Sequence, residues 1–335
     1  MNKRSWQALV RGLMQGVIAL SRVLPWRLIQ ALGDSLGTLA YCVSARYRNV
    51  ADKNLQTAFG EKLSAEGRRT LIRRTFRGFA RAMAEFLKAP TLTPEKLRAL
   101  VRSDVGMAPA KALLERGRGL IVVTAHFGNW ELLARRATIE GISLLVIARQ
   151  GEDAEFNRLT DSLRGNGGYA VHPRGTSPKA LLQHLRRKGA VAILPDQKSE
   201  DVFVPFFGKL AGTVAGPAVL ALKTGAPILP MFCPRQSDGT YRVEFGEVID
   251  TTPTGDTDAD THRIMAEINR SIESVIRRYP DQWLWMHDRW RVPPPARYMA
   301  SARGADVVRD RGHEILSFSE GAETSEESGA GAARA

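Results

Sequence analysis

His126 and Glu131 stand five positions apart in the stretch Gly119-Leu120-Ile121-Val122-Val123-Thr124-Ala125-His126-Phe127-Gly128-Asn129-Trp130-Glu131. Histidine is the side chain whose ordinary pKa suits proton transfer near neutrality. A carboxylate on its far ring nitrogen would fix the tautomer and stabilise the imidazolium that forms on taking a proton. The residue types therefore suggest His126 as a general base and Glu131 as its orienting partner. Gly128 would let backbone come close to a substrate. A helix starting after Asn129 would offer free N–H groups to an anion or a developing oxyanion. The competing reading of the same residues is a helix cap, with Glu131 favoured by the helix dipole. Spacing alone does not choose between the two.

The elements around this stretch are those that place chemistry at strand ends. Leu120 to Ala125 is a short apolar, β-branched run, expected to be a strand buried on both faces. Residues 131–139 read as the helix that follows. From residue 118 onward strands are expected at 119–125, 143–148, 169–172, 190–195, 227–233 and 241–248. Helices are expected at 131–139, 153–165, 177–188, 213–224 and 259–279. The alternation predicts an α/β fold with a mostly parallel central sheet flanked by helices. Functional groups in such folds gather at the carboxyl ends of the strands.

The segment before the motif has a different character. Residues 1–118 contain 22 Lys+Arg and 8 Asp+Glu, a net of +14, against +13 for the whole chain. A basic segment of this kind suits an anionic partner such as a lipid headgroup surface or an acidic carrier protein. No pattern of a nucleic-acid-binding module accompanies it, so nucleic acid is not expected. Residues 5–24 read as an amphipathic helix, with an uncharged span from Gly12 to Ser21 that falls short of the ~20 residues a spanning helix needs. An interfacial anchor fits it better, with a short spanning helix as the alternative. A second apolar helix follows from Trp26 to Val43. The division expected is a membrane-associating helical segment at 1–45, an α/β domain at 46–298, and a disordered, Ser, Glu, Gly and Ala rich tail at 299–335. Residues 64–88 read as a long helix. Leu71, Ile72, Phe76 and Phe79 line its apolar side, and Arg68, Arg69, Arg73, Arg74, Arg77 and Arg81 much of the rest. This densest basic patch would meet phosphates or an acidic carrier, or remain a solvated face.

Cys42 and Cys233 form no disulfide framework. His126 and Glu131 do not have the spacing of a zinc-binding H-E-x-x-H, so no metal is expected. No Ser or Cys stands in a G-x-S-x-G elbow, which favours direct group transfer over a covalent acyl-enzyme. Arg149 follows the second strand of the domain, where a guanidinium can bind a phosphate or steady an oxyanion, or pair with a surface carboxylate. Asp196 and Gln197 end another strand, where an Asp can also merely stabilise a turn.

His126 and Glu131 match the H-x4-[DE] signature of the glycerolipid acyltransferase superfamily. The string His126-Phe127-Gly128-Asn129-Trp130-Glu131 resembles its bacterial branch, the late acyltransferases of lipid A biosynthesis. Further blocks are similar in the same order: Arg46 to Phe59 (with Gly60 where proline is usual), Leu194-Pro195-Asp196-Gln197-Lys198, Val202 to Lys209, Gly212-Thr213, and Gln282 to Trp290. The resemblance implies transfer of a fatty acyl chain from a thioester, on acyl carrier protein or coenzyme A, to a hydroxyl of a membrane lipid. It implies a lipid A precursor as acceptor, no cofactor beyond the donor, and the cytoplasmic face of the bacterial inner membrane. It gives Arg149 an active-site role and puts Asp196 and Gln197 beside the site as acceptor-binding residues. Val202 to Lys209 would wall an acyl pocket or be plain core, and Thr213 would cap the next helix. The alternatives are an acyltransferase for lysophospholipid or phosphatidylinositol mannoside, a non-catalytic lipid-binding homologue, and a thioesterase.

Overall fold

Three apolar runs, Leu120–Val123, Ala190–Ile193 and Ile228–Phe232, contain almost nothing but Ala, Val, Ile, Leu and other apolar residues, and they lie side by side, buried along their whole length. Such runs can only be covered on both faces, which requires parallel strands with helices returning over the sheet. The computed structural model describes residues 16, 18–148, 154–173, 179–296 and 298. Its helices in chain order are α1 (Trp26–Val43), α2 (Ala45–Phe59), α3 (Ala65–Lys88), α4 (Pro94–Leu100), α5 (Ala108–Glu115), α6 (Trp130–Thr138), α7 (Ala154–Gly165), α8 (Lys179–Arg186), α9 (Gly216–Thr224) and α10 (Thr257–Arg278). The strands are β1 (Val101–Arg102), β2 (Leu120–Val123), β3 (Leu144–Ala148), β4 (Ala170–Pro173), β5 (Ala190–Ile193), β6 (Val202–Phe206), β7 (Lys209–Thr213), β8 (Ile228–Phe232), β9 (Tyr241–Arg242) and β10 (Glu244–Phe245).

The central sheet has six strands in the order β10-β8-β2-β5-β3-β4. All neighbours are parallel except β10, which is antiparallel to β8. Alternate side chains enter two separate cores, as the two-residue period of a strand requires. Ile121, Val123, Val191, Ile193 and Ile228 pack with Leu55 of α2, Phe76 of α3, and Ile268 and Ile272 of α10. Leu120, Val122, Ala190, Ala192 and Leu229 pack with Leu97 of α4, Leu113 of α5 and Leu132 of α6. The three layers match the α/β expectation.

Three local expectations are corrected. Residues 202–213 form a β-hairpin, β6 paired with β7, where no strand was expected and a helix was expected to open at residue 213. Phe207 and Gly208, both at positive φ (51° and 71°), make the two-residue turn, the backbone that matches the twist of the strands it joins. Thr213 is the fully buried end of β7, not a cap. Its hydroxyl accepts from Arg289 Nη2 at 2.7 Å, and helix α9 starts three residues later. The expected strand 241–248 is two short strands: β9 pairs with β1, β10 with β8. The readings of residues 5–15 and 17 and of the tail after residue 298 fall outside the described residues.

The long basic helix lies where the sequence puts it. Ser64 caps α3 by accepting from the Gly67 N–H, as a serine ahead of a helix does. Helix α1 crosses α3 at glycine. A Cβ added to Gly33 would stand 2.6 Å from Arg81 Cα, and one added to Gly37 2.6 Å from Arg77 Cα. Between these glycines, Asp34 receives Arg81 and Arg77. Backbone-to-backbone approach of this kind admits no side chain. Gly37→Leu is expected to destabilise the fold by roughly 1–3 kcal/mol, the usual scale of overpacking; a chemical-denaturation curve of the variant checks it.

Candidate active site

Strand register decides which groups meet at the carboxyl end of the sheet. β2 and β5 are parallel neighbours, with Val123 opposite Ile193. Three residues beyond each stand His126 and Asp196, so both leave the sheet at the same level, side by side. The His126 ring Nδ1 lies 2.9 Å from Asp196 Oδ1, and the His126 backbone N–H donates to Asp196 Oδ2, also at 2.9 Å. Trp283 Nε1–H donates to the same Oδ2 at 2.9 Å. Asp196 is buried (2% exposed). Burial alone would raise its carboxyl, but the charge of His126 and these donated hydrogen bonds hold it below its ordinary value. An ionised carboxylate only accepts hydrogen bonds, so Nδ1 bears the proton and Nε2 is left as the basic nitrogen. Gln197 Nε2 approaches that nitrogen at 3.3 Å.

The partner of His126 is therefore Asp196, and the expectation that Glu131 orients the ring is corrected. Glu131 is the second residue of α6 and is buried. Its carboxylate is taken by Arg164, with Nη2 at 2.6 Å, and by the Tyr169 hydroxyl at 2.5 Å. Burial and the adjacent carboxylate push the Tyr169 hydroxyl well above its ordinary value. The reason for the difference lies between residues 126 and 131. Phe127 forms an isolated bridge with Trp283. Gly128 then turns the chain at φ 56°, and Asn129 caps α6 by accepting from the Leu132 N–H. Glu131 thus sits one step into the helix, on the side of α7 and β4.

Gly128 and Asn129 are corrected in role as well. The Gly128 N–H donates to Gln282 O at 2.9 Å and the Asn129 N–H to Cys233 O at 3.0 Å, so neither amide is free for an oxyanion. Glycine is required at 128 by the protein itself: a Cβ there would lie 2.1 Å from Cys233 O. The Asn129 side chain is engaged behind the site, donating to Glu85 Oε2 at 2.8 Å. Glu85 on α3 also accepts from Tyr241 at 2.5 Å and from Gln30 at 2.7 Å. Its burial raises the carboxyl despite these three donors. Arg149 lies outside the described residues.

Two recesses share His126 and Trp130. The first is an apolar cavity of about 710 Å³, lined by Val122, Leu144, Val146 and Ala192 of the strands and by Leu133 and Ala137 of α6. The second, about 260 Å³, is polar and lies toward α3 and residues 281–284. Of Val202 to Lys209, expected as cavity wall or core, Val202, Val204, Phe206 and Phe207 belong to the core that includes α10.

Trp283 and Gln282 were legible only as packing, yet they build the site. Leu284 N–H donates to His126 O, and Gln282 O holds the Gly128 turn. Their signal in sequence is an aromatic cluster, Trp283-Leu284-Trp285, whose partners at the site, Asp196 and His126, lie 87 and more positions away. His287 is not in the reacting pair, as expected, but it steadies the Asp196 loop: its Nε2 accepts the Lys198 N–H at 3.0 Å.

This architecture, a mostly parallel sheet presenting a buried Asp and its His partner beside an apolar and a polar recess, suits group transfer on a molecule with an apolar and a polar part. The chain belongs to the family of bacterial lipid A biosynthesis acyltransferases, which it matches over residues 2–292. It is an acyltransferase. It is 28% identical to a lipid A biosynthesis lauroyltransferase of Escherichia coli (strain K12), over 84% of this chain and 92% of that protein. A lipid A biosynthesis palmitoleoyltransferase of the same organism is 27% identical over 83% and 90%. A phosphatidylinositol mannoside acyltransferase of Mycolicibacterium smegmatis is 25% identical over 79% and 88%.

His287 gives the fold a measurable pH response. Burial lowers its pKa from 6.5 to about 4; Asp196 opposes this, while the charges of His126, Lys198 and Arg289 add to it. The neutral ring is also the form that can accept the Lys198 N–H. Between pH 6.5 and 4 the unfolded chain therefore binds more protons at this residue than the folded one. Its contribution to stability is complete above about pH 6.5 and is lost as pH falls toward 4. Thermal midpoints of wild type and His287→Gln, compared across that window, are expected to show a shallower decline in the variant.

Proposed function

We propose that the protein transfers a fatty acyl chain from an acyl thioester, on acyl carrier protein or coenzyme A, to a hydroxyl of a lipid A precursor, with His126 as general base. The observation that carries this reading is the His126–Asp196 pair, with Nδ1 bonded to the buried carboxylate and His126 lining both recesses. The acyl chain occupies the apolar cavity, where each buried methylene contributes about 0.8 kcal/mol. The acceptor hydroxyl stands at Nε2. As its oxygen attacks the thioester carbonyl, Nε2 takes its proton, and Asp196 stabilises the imidazolium. When the tetrahedral intermediate collapses, the carbon–sulfur bond breaks and the imidazolium returns the proton to the leaving thiolate. Both substrates are bound together, and no acyl-enzyme forms. Gln197, at hydrogen-bond distance from Nε2, is the amide placed to touch the substrate. Glu131 acts at one remove, holding Arg164 in the wall of the apolar cavity.

The acceptor reaches the site from the inner leaflet of the bacterial inner membrane, which the protein meets from the cytoplasmic side. Among the described residues no helix is long and apolar enough to cross a membrane. Helix α1 instead exposes a stripe of Leu28, Leu32, Leu36, Leu39 and Val43, spaced three or four apart on one face. An uncovered apolar stripe on a basic segment supports interfacial attachment. The phosphatidylinositol mannoside acyltransferase relative keeps a second acceptor in play, a mannosylated phosphoinositide.

The test of function is mass spectrometry of lipid A from cells lacking the gene, complemented with wild type or with His126→Ala. Restoration of one acyl group by wild type alone supports the reading, and unchanged lipid A in the deletion strain sinks the lipid A acceptor. In purified enzyme, His126→Ala and Asp196→Asn are each expected to lower kcat by about 10²–10⁴-fold, the range of positioned acid–base catalysis. Full activity of either variant would remove the pair from the mechanism. For attachment, Leu32→Glu/Leu36→Glu is expected to reduce co-sedimentation with anionic vesicles while leaving the thermal midpoint within about 2–4 °C of wild type, as exposed positions do.

A further inference from the structure

The polar recess beside His126 has no assigned occupant. Four arginines line it: Arg74, Arg77 and Arg81 of α3, and Arg235, which follows β8. Arg77 and Arg81 are partly neutralised by Asp34. Arg74 and Arg235 form no ion pair among the described residues. Arg81 is buried (9% exposed), yet its Nε finds no hydrogen-bond partner, and neither does the buried Nε of Arg235. Buried guanidinium N–H groups without acceptors are costly unless something supplies one.

The recess is also rigidly built. Gln282 clamps the Arg235 backbone from both sides, accepting from its N–H at 2.7 Å and donating to its carbonyl at 2.9 Å. Thr75 on α3 donates to Asp281 O at 3.3 Å, fastening the opposite wall. Asp281 is the one carboxylate in the lining. Burial raises it above its ordinary value, and a backbone hydrogen bond and the nearby arginines only partly counter this.

We propose that this recess is a phosphate-ester site, with Arg235 and Arg74 as the donors that grip the phosphate while the reacting atoms stand at His126. The inference deepens the acyl-transfer reading, on which it rests, by naming what the polar side of the site recognises. Forked guanidinium donors match phosphate oxygens in pairs. The recess shares His126 and Trp130 with the apolar cavity, so a phosphate bound there belongs to a molecule whose reactive end reaches Nε2. Two substrates have that chemistry: a phosphorylated glycolipid acceptor, and the pantetheine phosphate of the donor.

The experiment uses the full chain and the variants Arg235→Gln, Arg74→Gln and Arg235→Lys, each first matched to wild type by thermal midpoint. KM is measured for donor and for acceptor, with the acceptor supplied as isolated and after phosphatase treatment. The expected result is a KM for the phosphorylated acceptor raised about tenfold or more in Arg235→Gln, a smaller rise in Arg74→Gln, partial recovery in Arg235→Lys, and no difference between enzymes on the dephosphorylated acceptor. A rise confined to the donor KM also supports the site and assigns the phosphate to the donor. Unchanged KM values for both substrates in both glutamine variants overturn it. A second arm needs no acyl transfer: inorganic phosphate is titrated while tryptophan fluorescence is followed, since Trp130 and Trp283 line the recess. A saturable response lost in Arg235→Gln supports the site even if wild type acylates no glycolipid tested. Identical responses in wild type and variant count against it.

Discussion

The Asp196 carboxylate is the constraint on which the site depends. It is buried and would be costly as an isolated charge, and three N–H groups from two distant parts of the chain make it tolerable. The same three bonds tie the end of β2, the end of β5 and the Trp283 segment into one unit. Ring orientation, tautomer and loop position are thus set by a single anion. His287 extends that unit by holding the next turn at Lys198, and Asn54 secures it from α2 by donating to the carbonyls of Trp285 and His287.

A second buried carboxyl group performs the corresponding structural task behind the turn that carries His126. Glu85 gathers Gln30 of α1, Asn129 at the start of α6 and Tyr241 of β9. The N-terminal helices are in this way fastened to the turn that carries His126. The surface they expose to solvent is apolar on α1 and basic on α3, and residues 74–81 of α3 form one wall of the polar recess. Attachment to a lipid surface and recognition of a charged headgroup would then be properties of the same helical pair, with the reacting atoms at its inner edge.

The two recesses divide the amphiphile problem physically. An apolar cavity between the sheet and α6 excludes water from a chain, and the arginine-lined recess on the other side of His126 offers charge. Glu131 belongs to the first. Its ion pair with Arg164 and its bond from Tyr169 place a satisfied polar cluster in an otherwise apolar wall, which keeps a buried carboxylate from becoming a liability.

The order of the strands and helices was readable from the chain because β-branched runs and helical spacing are local signals, and α3 from Ser64 to Lys88 lies within a residue of its expected bounds. His126 at a strand end was readable for the same reason. The hairpin at 202–213 was harder, since its turn residue Phe207 continues the apolar run of β6 and hides the break. The partner of His126 could not be read locally. Proximity in sequence pointed to Glu131, but the four residues between are spent on a bridge, a left-handed turn and the cap and first residue of a helix, and they lead the carboxylate away. What joins His126 to Asp196 is the pairing of β2 with β5, strands separated by some 70 residues, and it is long-range register that decides which strand ends stand together. Local patterns along the chain set most of the elements and put His126 at a strand end; its partner and the division of the site into an apolar and a charged half came from the packed fold, because hydrogen-bond pairing between distant strands is not written in any local pattern.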